Sequence, residues 1–213
     1  MASSLRVHLR LAAMLFGLTA FALIVRAQGG STIATERIFE AIGVKEGVTV
    51  CEIGAGNGDL SLAAARLVGP TGRVFTSELG DDRVKTLQTR VTSSGLAQIT
   101  VVSGDPVRTN FPEAGCDALF MRNVYHHFAD PAPMNASIAA SLRPGARLAV
   151  VDFTPPAGAE AKAPADRSKD GSHGIGPESV SRELKTAGLD VVTSEAGTGR
   201  WFMVVAAKPK TGA

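Results

Sequence analysis

The sequence lacks an excess of charge of either sign. It has 22 Lys and Arg residues against 20 Asp and Glu residues. Three of the basic residues, and none of the acidic ones, fall within residues 1–27. The rest of the chain is therefore nearly neutral and gives no electrostatic attraction for nucleic acid. We expect no nucleic-acid partner.

Cysteine is also scarce. Cys51 and Cys116 are the two thiols of the chain, and both fall in apolar runs that we predict to be buried strands. In an exported protein the two could form a disulfide. The alternative is a pair of free thiols that pack as small hydrophobic side chains, and the apolar surroundings favour this second interpretation.

The N-terminal apolar run is too short to be a typical membrane span, which needs roughly 20 residues. Leu11–Val25 contains no charge, follows Arg6 and Arg10, and is followed by Val25-Arg26-Ala27. This order is typical of a secretory signal peptide, so we expect cleavage after residue 27 and export to the periplasm or the medium. The alternatives are an uncleaved membrane anchor at residues 11–25 and a mitochondrial presequence.

Residues 28–213 are expected to form one domain. Hydrophobic residues make up 45% of the chain and charged residues 20%, which is typical of a globular protein with a sizeable core. Strand-like and helix-like segments alternate, which predicts an α/β sheet wound on both faces, with an antiparallel pair of strands at its end. The predicted strands are 48–53, 73–77, 99–102, 118–121, 147–153, 189–193 and 201–207, and the helices are 31–42, 60–68, 81–93, 134–142 and 177–187.

A glycine-rich turn follows the first predicted strand. Gly54, Gly56 and Gly58 are spaced G-x-G-x-G, whereas a dinucleotide fingerprint needs a further glycine where Asp59 stands, and a P-loop needs Gly-Lys-Ser/Thr. Glu52 and Asp59 have no basic neighbour in the sequence to offset them, so the turn should repel a phosphate. It suits a ligand with a positive centre, such as the sulfonium of S-adenosylmethionine. An NAD-binding oxidoreductase is the weaker alternative.

Two acidic residues follow the next strands. Glu78 ends the second strand, 20 residues after Gly58, where a carboxylate can bind both ribose hydroxyls; the alternative is a helix cap. Asp105 follows the third strand, where it can accept from an adenine amino group. The alternative for Asp105 is a turn before Pro106.

Five segments in this order resemble the class I S-adenosylmethionine-dependent methyltransferases, and in particular the small-molecule branch with the quinone and "methyltransferase domain 11" types. They are VCEIGAGNGDLS, GRVFTSELGDD, VVSGDP, CDALFMRNVYHHFADP and SLRPGARLAVVDF. The resemblance runs from about residue 33 to 208. It implies a Rossmann-like sheet of seven strands, mostly parallel, with the last strand antiparallel.

The resemblance also implies roles for individual residues. Glu78 would bind the ribose of the cofactor, and its adenine would contact Leu79, Asp105 and Pro106. The residues at the methionine end would be Glu52, Gly54, Gly56, Gly58, Arg122 and Asn123. Two features depart from the family. Arg143-Pro144-Gly145-Ala146 stands where Lys-Pro-Gly-Gly is usual, and the leader is unusual because most members are cytosolic.

Methyl transfer needs a nucleophile placed about 3 Å from the methyl group and, for a hydroxyl or acidic carbon, a general base. The candidates are Tyr125, His126, His127, Asp152 and His173. His126 and His127 follow the fourth strand, beside the expected methyl position, and imidazole titrates in the useful range; alternatively, the pair only packs the next helix. Adjacent histidines seldom point the same way, so we expect no metal site.

The methyl acceptor is not identified by the sequence. The segment 154–172 is rich in Pro, Ala and Gly and should form a long loop over the acceptor, without an aromatic or basic cluster that would indicate a substrate class. Trp201 and Phe202 are expected in the core of the last strand. We expect an active methyltransferase with a partly apolar small-molecule acceptor; the alternative is a binding module that no longer transfers methyl groups.

Overall fold

The computed structural model describes residues 33–210. Strands and helices alternate along this part of the chain as expected, with two short 3-10 turns at Tyr125–His127 and Pro164–Asp166. The strands are β1 (Thr49–Ile53), β2 (Arg73–Glu78), β3 (Ile99–Ser103), β4 (Cys116–Arg122), β5 (Leu142–Phe153), β6 (Asp190–Ala196) and β7 (Trp201–Ala207). The helices are α1 (Thr35–Ile42), α2 (Asp59–Val68), α3 (Asp81–Ser94), α4 (Pro131–Ser141) and α5 (Pro177–Thr186).

The seven strands form one sheet in the order β3-β2-β1-β4-β5-β7-β6. Strands β1 to β5 pair in parallel with their neighbours, and β7 is antiparallel to both β5 and β6. The predicted fold class, including the antiparallel last strand, is confirmed. The strand order reverses between β1 and β4, and such a switch point opens a crevice at the carboxyl ends of the strands.

The core lies on both faces of the sheet, because β1 and β4 alternate their side chains between two hydrophobic clusters. Val50 and Ala118 pack on one face, while Cys51, Leu119 and Met121 pack on the other. These central strands are buried throughout or nearly so. They form a rigid support for the loops that follow their carboxyl ends.

Some element boundaries differ from the prediction. Helix α4 begins at Pro131 rather than at residue 134, because proline suits the first turn of a helix, where its missing N–H has no partner to lose. Strand β5 begins at Leu142 rather than at 147: Leu142 already pairs with Cys116, across a register shift in the β4–β5 ladder. Helix α1 begins at Thr35 after Ala34, which makes no side-chain cap.

The prediction of free cysteines is wrong. Cys51 and Cys116 form a disulfide with their Cα atoms 5.8 Å apart, although both are fully buried as expected. Their strands, β1 and β4, are neighbours. The register shift between Cys116 and Ala118 breaks the regular alternation of β4, and Cys116 comes to share the cluster of Cys51 and Leu119. Sequence spacing alone does not reveal that shift.

The predicted leader, residues 1–27, and its apolar run at 11–25 lie outside the described residues. Within residues 33–210, no helix has both the length and the apolar character needed to cross a bilayer.

The disulfide gives a stability prediction. It closes a segment with a sequence separation of 65, so its loss should lower the free energy of unfolding by about 4 kcal/mol on the chain-entropy estimate. Urea unfolding of the oxidised protein and of the Cys51→Ala/Cys116→Ala double variant measures this difference. Two reactive thiols in the unreduced, unfolded protein would contradict the disulfide.

Candidate functional site

A cavity of about 840 Å³ opens at the carboxyl ends of β1, β2 and β4. Nine of the ten predicted cofactor residues line it. The exception is Gly58, which precedes α2 with a φ of 82° and where a Cβ would come within 2.7 Å of Leu87 Cδ1. The nine residues are Glu52, Gly54, Gly56, Glu78, Leu79, Asp105, Pro106, Arg122 and Asn123.

The turn after β1 brings backbone close to the cavity. Gly54 has a φ of 69°, and a Cβ there would come within 2.5 Å of Val124 Cγ2. Gly56 has a φ of 57°, and no atom lies within 4 Å of the place where its Cβ would be. Glycine at 54 therefore allows close packing against the segment after β4, while glycine at 56 adopts the left-handed backbone region and leaves space open.

Glu78 connects this turn to the end of β2. Its Oε2 accepts a hydrogen bond of 2.7 Å from Gly56 N–H, and its Oε1 accepts one of 2.9 Å from Leu79 N–H. The exposed Arg83 guanidinium lies 3.1 Å from Oε1. The carboxylate is thus held in one orientation at the cavity wall, and its remaining lone-pair capacity is available to a hydroxyl ligand.

Glu52 lies deeper and is almost fully buried. Its Oε2 accepts a hydrogen bond from Ser61 Oγ. Burial raises the pKa of Glu52 to about 7, against the opposing effects of the Ser61 hydrogen bond and the Arg122 charge. Near neutral pH this carboxyl group therefore changes its charge easily at the wall of the cavity.

The prediction that no basic side chain offsets Glu52 and Asp59 is wrong. Arg90 lies 2.9 Å from Asp59, Arg83 pairs with Glu78, and Arg122 lines the same cavity as Glu52. Two of these arginines come from α3 and one from the end of β4, too far along the chain for local spacing to reveal them. Charge alone does not exclude a phosphate at this turn.

Asp105 stabilises the turn that follows it, which was the alternative role for this residue, and it also lines the cavity. Its Oδ1 accepts a hydrogen bond of 2.9 Å from Val107 N–H, and its Oδ2 lies 3.4 Å from Arg108 Nη2. The Val107 hydrogen bond, more than the Arg108 interaction, holds the pKa of Asp105 below its usual value. Its contact with an adenine amino group stays a prediction.

The two predicted catalytic histidines lie in different environments. His127 lines the cavity, and its Nδ1 is 2.8 Å from Ser168 Oγ. His126 is fully buried behind it, with Nδ1 2.8 Å from Asp152 Oδ1 and its backbone N–H donating to Asp152 Oδ2 at 3.1 Å. Partial burial, followed by the proximity of His126 and His173, lowers the pKa of His127. His127 alone of the pair faces the cavity.

The other base candidates have different positions. The Tyr125 hydroxyl is directed into the core, where it contacts Glu183 Oε2 at 3.0 Å and Asn135 Nδ2 at 2.6 Å, and burial raises its pKa. Asp152 is buried against His126. His173 is exposed on the loop after β5, as a loop histidine is expected to be, yet its Nε2 lies 2.9 Å from His126 Nε2.

The sequence interpretation missed Trp201. Phe202 is in the core as expected, but Trp201 is half-buried and lines the cavity. Strand β7 runs antiparallel to β5, so its first residue pairs with Phe153 at the carboxyl end of β5. The predicted antiparallel arrangement could have indicated a position for Trp201 at the cavity, because it puts the start of β7 at the edge of the sheet where the parallel strands end.

Glu52 gives a prediction about pH. A folded-state pKa of about 7 against an ordinary value of 4.5 means that the native protein retains a proton that the unfolded chain loses. The resulting stabilisation is complete below about pH 4.5 and is lost as the pH rises through about 7. The free energy of unfolding of the parent minus that of Glu52→Gln should therefore fall by on the order of 3 kcal/mol across this range.

Urea unfolding at several pH values measures that difference. Asp190→Asn, which removes an exposed carboxylate on β6, is the matched control. A difference that is flat or rises with pH would show that burial does not raise the pKa of Glu52 in the folded protein.

The sequence is similar to those of known methyltransferases. Residues 50–146 match the family described as "Methyltransferase domain". A ubiquinone/menaquinone biosynthesis C-methyltransferase, UbiE, from Pseudomonas putida is 35% identical over 122 residues, which cover 55% of this chain and 46% of that protein. The chain thus matches about half the length of this relative.

Solved structures share the fold over most of the chain. A SAM-dependent methyltransferase from Aquifex aeolicus superimposes with a TM-score of 0.71 at 22% identity, over 84% of this chain and 91% of that one. The [4+2]-cyclase SpnF superimposes with the same score at 16% identity, over 84% and 81%. Residues 50–146 are therefore similar to a methyltransferase domain, and the chain has the Rossmann-like fold that these solved structures share.

Proposed function

We propose that the protein is an S-adenosylmethionine-dependent methyltransferase with a small-molecule acceptor. The observation that carries this proposal is the Glu78 carboxylate, which is held by the backbone of Gly56 and Leu79 at the wall of the cavity. A carboxylate at the end of the second strand is suited to a ribose diol.

The residues present fit the cofactor. Glu78 would bind the ribose hydroxyls, and Leu79, Asp105 and Pro106 would enclose the adenine. The methionine end would lie over the open space at Gly56. The bound cofactor supplies a methyl group already activated on a sulfonium. Glu52, whose pKa is raised by burial, can ionise in response to that positive charge.

The acceptor side of the cavity is partly apolar. Phe128, Met134 and Trp201 line it together with His127. This composition suits a modest, partly apolar molecule whose reactive atom lies near the imidazole. The UbiE relative is named for quinone biosynthesis, and an aromatic acceptor fits the same surfaces.

His127 would accept the proton that the acceptor loses. It faces the cavity, whereas His126 is buried with Asp152 and positions the neighbouring turn. In the transfer the acceptor atom bonds to the methyl carbon, the sulfur–carbon bond breaks, and the acceptor proton passes to an imidazole nitrogen. A base is needed for a hydroxyl or an acidic carbon.

Fold alone does not establish methyl transfer, since a cyclase shares it. The rival hypotheses are a binding module without transferase activity and, less favoured, an NAD-dependent oxidoreductase. The first would bind the cofactor without turning over any acceptor, and the second would bind NAD in preference to the adenosyl ligand. Separate binding and turnover measurements distinguish the three.

The binding measurement is calorimetry with S-adenosylhomocysteine and with NAD. We expect the adenosyl ligand to bind. Glu78→Ala should weaken that binding about 10- to 100-fold, because hydrogen bonds to a charged group contribute about 1.5–3 kcal/mol. Asp190→Ala is the control, because Asp190 is exposed on β6 and does not line the cavity. This variant should bind the adenosyl ligand as tightly as the parent does. Tight NAD binding without a response to the adenosyl ligand would disprove this part of the proposal.

The turnover measurement screens phenol, quinol, thiol and carboxylate acceptors. We expect His127→Ala to lower kcat for a true acceptor from about pH 6 to 9, the range in which imidazole acts as a base. Asp190→Ala, which removes an exposed side chain on β6, is the control. Unchanged turnover in His127→Ala would overturn the role of His127, and cofactor binding with no active acceptor would favour the binding module.

We also propose that the protein is exported. The leader has the composition of a signal peptide, and the Cys51–Cys116 disulfide is typical of proteins in oxidising compartments. Mass spectrometry of the native protein should find Gln28 at the N-terminus. An intact N-terminus on membrane-bound protein would favour the anchor at residues 11–25.

A further inference from the structure

Three histidines from two separate segments meet beside the cavity. His126 and His127 follow β4, and His173 comes from the loop between β5 and α5. One ring nitrogen from each lies within 4.8 Å of the others. The remaining histidine of the chain, His8, lies outside the described residues. The expectation that no metal binds was based on the adjacent pair alone and did not include His173.

His126 is oriented as a metal ligand is in known sites. Asp152 accepts from its ring Nδ1 and from its backbone N–H, and both side chains are fully buried. This hydrogen bond assigns the proton to Nδ1 and leaves the lone pair of Nε2 free. A carboxylate that holds the far nitrogen of an imidazole is the usual outer partner of a histidine ligand.

His173 is fixed by the loop around it. The neighbouring Gly174 donates its N–H to Arg167 O at 3.0 Å, and Ile175 donates to Phe153 O at 3.0 Å. Arg167 is almost fully buried and forms an ion pair with Glu183 on α5. These contacts bring His173 Nε2 to within 2.9 Å of His126 Nε2. Two ring nitrogens this close need a proton or a cation between them.

We propose that His126, His127 and His173 bind one divalent transition-metal ion, with zinc as the best fit. Nitrogens bound to one tetrahedral zinc at about 2.0–2.1 Å lie about 3.3 Å apart. The observed separations, from 2.9 Å to at most 4.8 Å, reach this value with ring movements of roughly 1–2 Å. Three imidazoles without a thiolate suit zinc, copper, iron or nickel rather than magnesium or calcium.

The proposed ion would have one coordination position that none of the three histidines fills. Among residues 33–210, the cluster contains no fourth histidine, cysteine or acid, and three protein ligands with one open position are typical of catalytic zinc. His127 lines the cavity, so an oxygen or sulfur atom of a bound molecule can reach the ion from that side.

A metal ion at this site would favour a hydroxyl or a thiol as the methyl acceptor, and this inference rests on the proposed function. A hydroxyl or thiol bound to the ion loses its proton to solvent, because the metal lowers its pKa. Its oxygen or sulfur then bonds to the methyl carbon as the sulfonium sulfur–carbon bond breaks. His127 would thus be a ligand in the zinc-loaded protein, where the ion promotes the deprotonation, and its imidazole would act as the general base proposed above only in the metal-free protein.

The test uses the full chain, purified without a histidine tag and stripped of metal with a chelator. Titration with Zn²⁺ alone, in competition with a chromophoric chelator, should give one equivalent, and Co²⁺ should give the absorption of a tetrahedral site. His173→Ala should weaken Zn²⁺ binding by about 100-fold or more, because losing even an outer partner of a ligand costs about 10- to 100-fold. Asp190→Ala, at an exposed position on β6, should bind Zn²⁺ as the parent does.

A second variant separates a metal site from a hydrogen-bonded relay. His173→Gln retains an amide that can hydrogen-bond His126 but is a poor zinc ligand, so it should lose Zn²⁺ as His173→Ala does. Zinc binding that persists in both variants, or a parent that binds no more Zn²⁺ than they do, would overturn the proposal. Calorimetry with S-adenosylhomocysteine on the same samples keeps the two proposals apart, since the proposed ribose contact at Glu78 is held by Gly56 and Leu79 and not by the three histidines.

Discussion

The hydrogen bond from Gly56 N–H to the Glu78 carboxylate joins the turn after β1 to the end of β2. It requires a left-handed residue at 56 and two parallel neighbouring strands that end at the same edge of the sheet. Leu79 N–H completes the support of the same carboxylate. The shape of the cavity and the position of its fixed negative charge both follow from this connection.

The acceptor side depends on a second buried interaction, between Asp152 at the end of β5 and His126 after β4. Burying these polar groups is costly unless they are paired, and each satisfies the other through two hydrogen bonds. The pairing holds the turn Tyr125–His127 against the sheet, so that His127 faces the cavity. The loop after β5 then brings His173 to the same place through Arg167 and Glu183.

Features that depend on local spacing could be predicted from the sequence. The glycine turn and Glu78 follow from the order strand, turn, helix, strand, and the structure places both at the cavity. Features that depend on tertiary contacts could not. The Cys51–Cys116 disulfide depends on a register shift in β4, and the Arg90–Asp59 pair joins two helices. The approach of His173 to His126 depends on how a long loop folds back.

A crystal structure of the full chain with S-adenosylhomocysteine would test the proposed cofactor site directly. We expect both ribose hydroxyls within hydrogen-bonding distance of the Glu78 carboxylate, with the Gly56 N–H still donating to the same side chain and the sulfur directed towards His127. A ligand bound elsewhere, or a ribose without contact to Glu78, would contradict the proposed site.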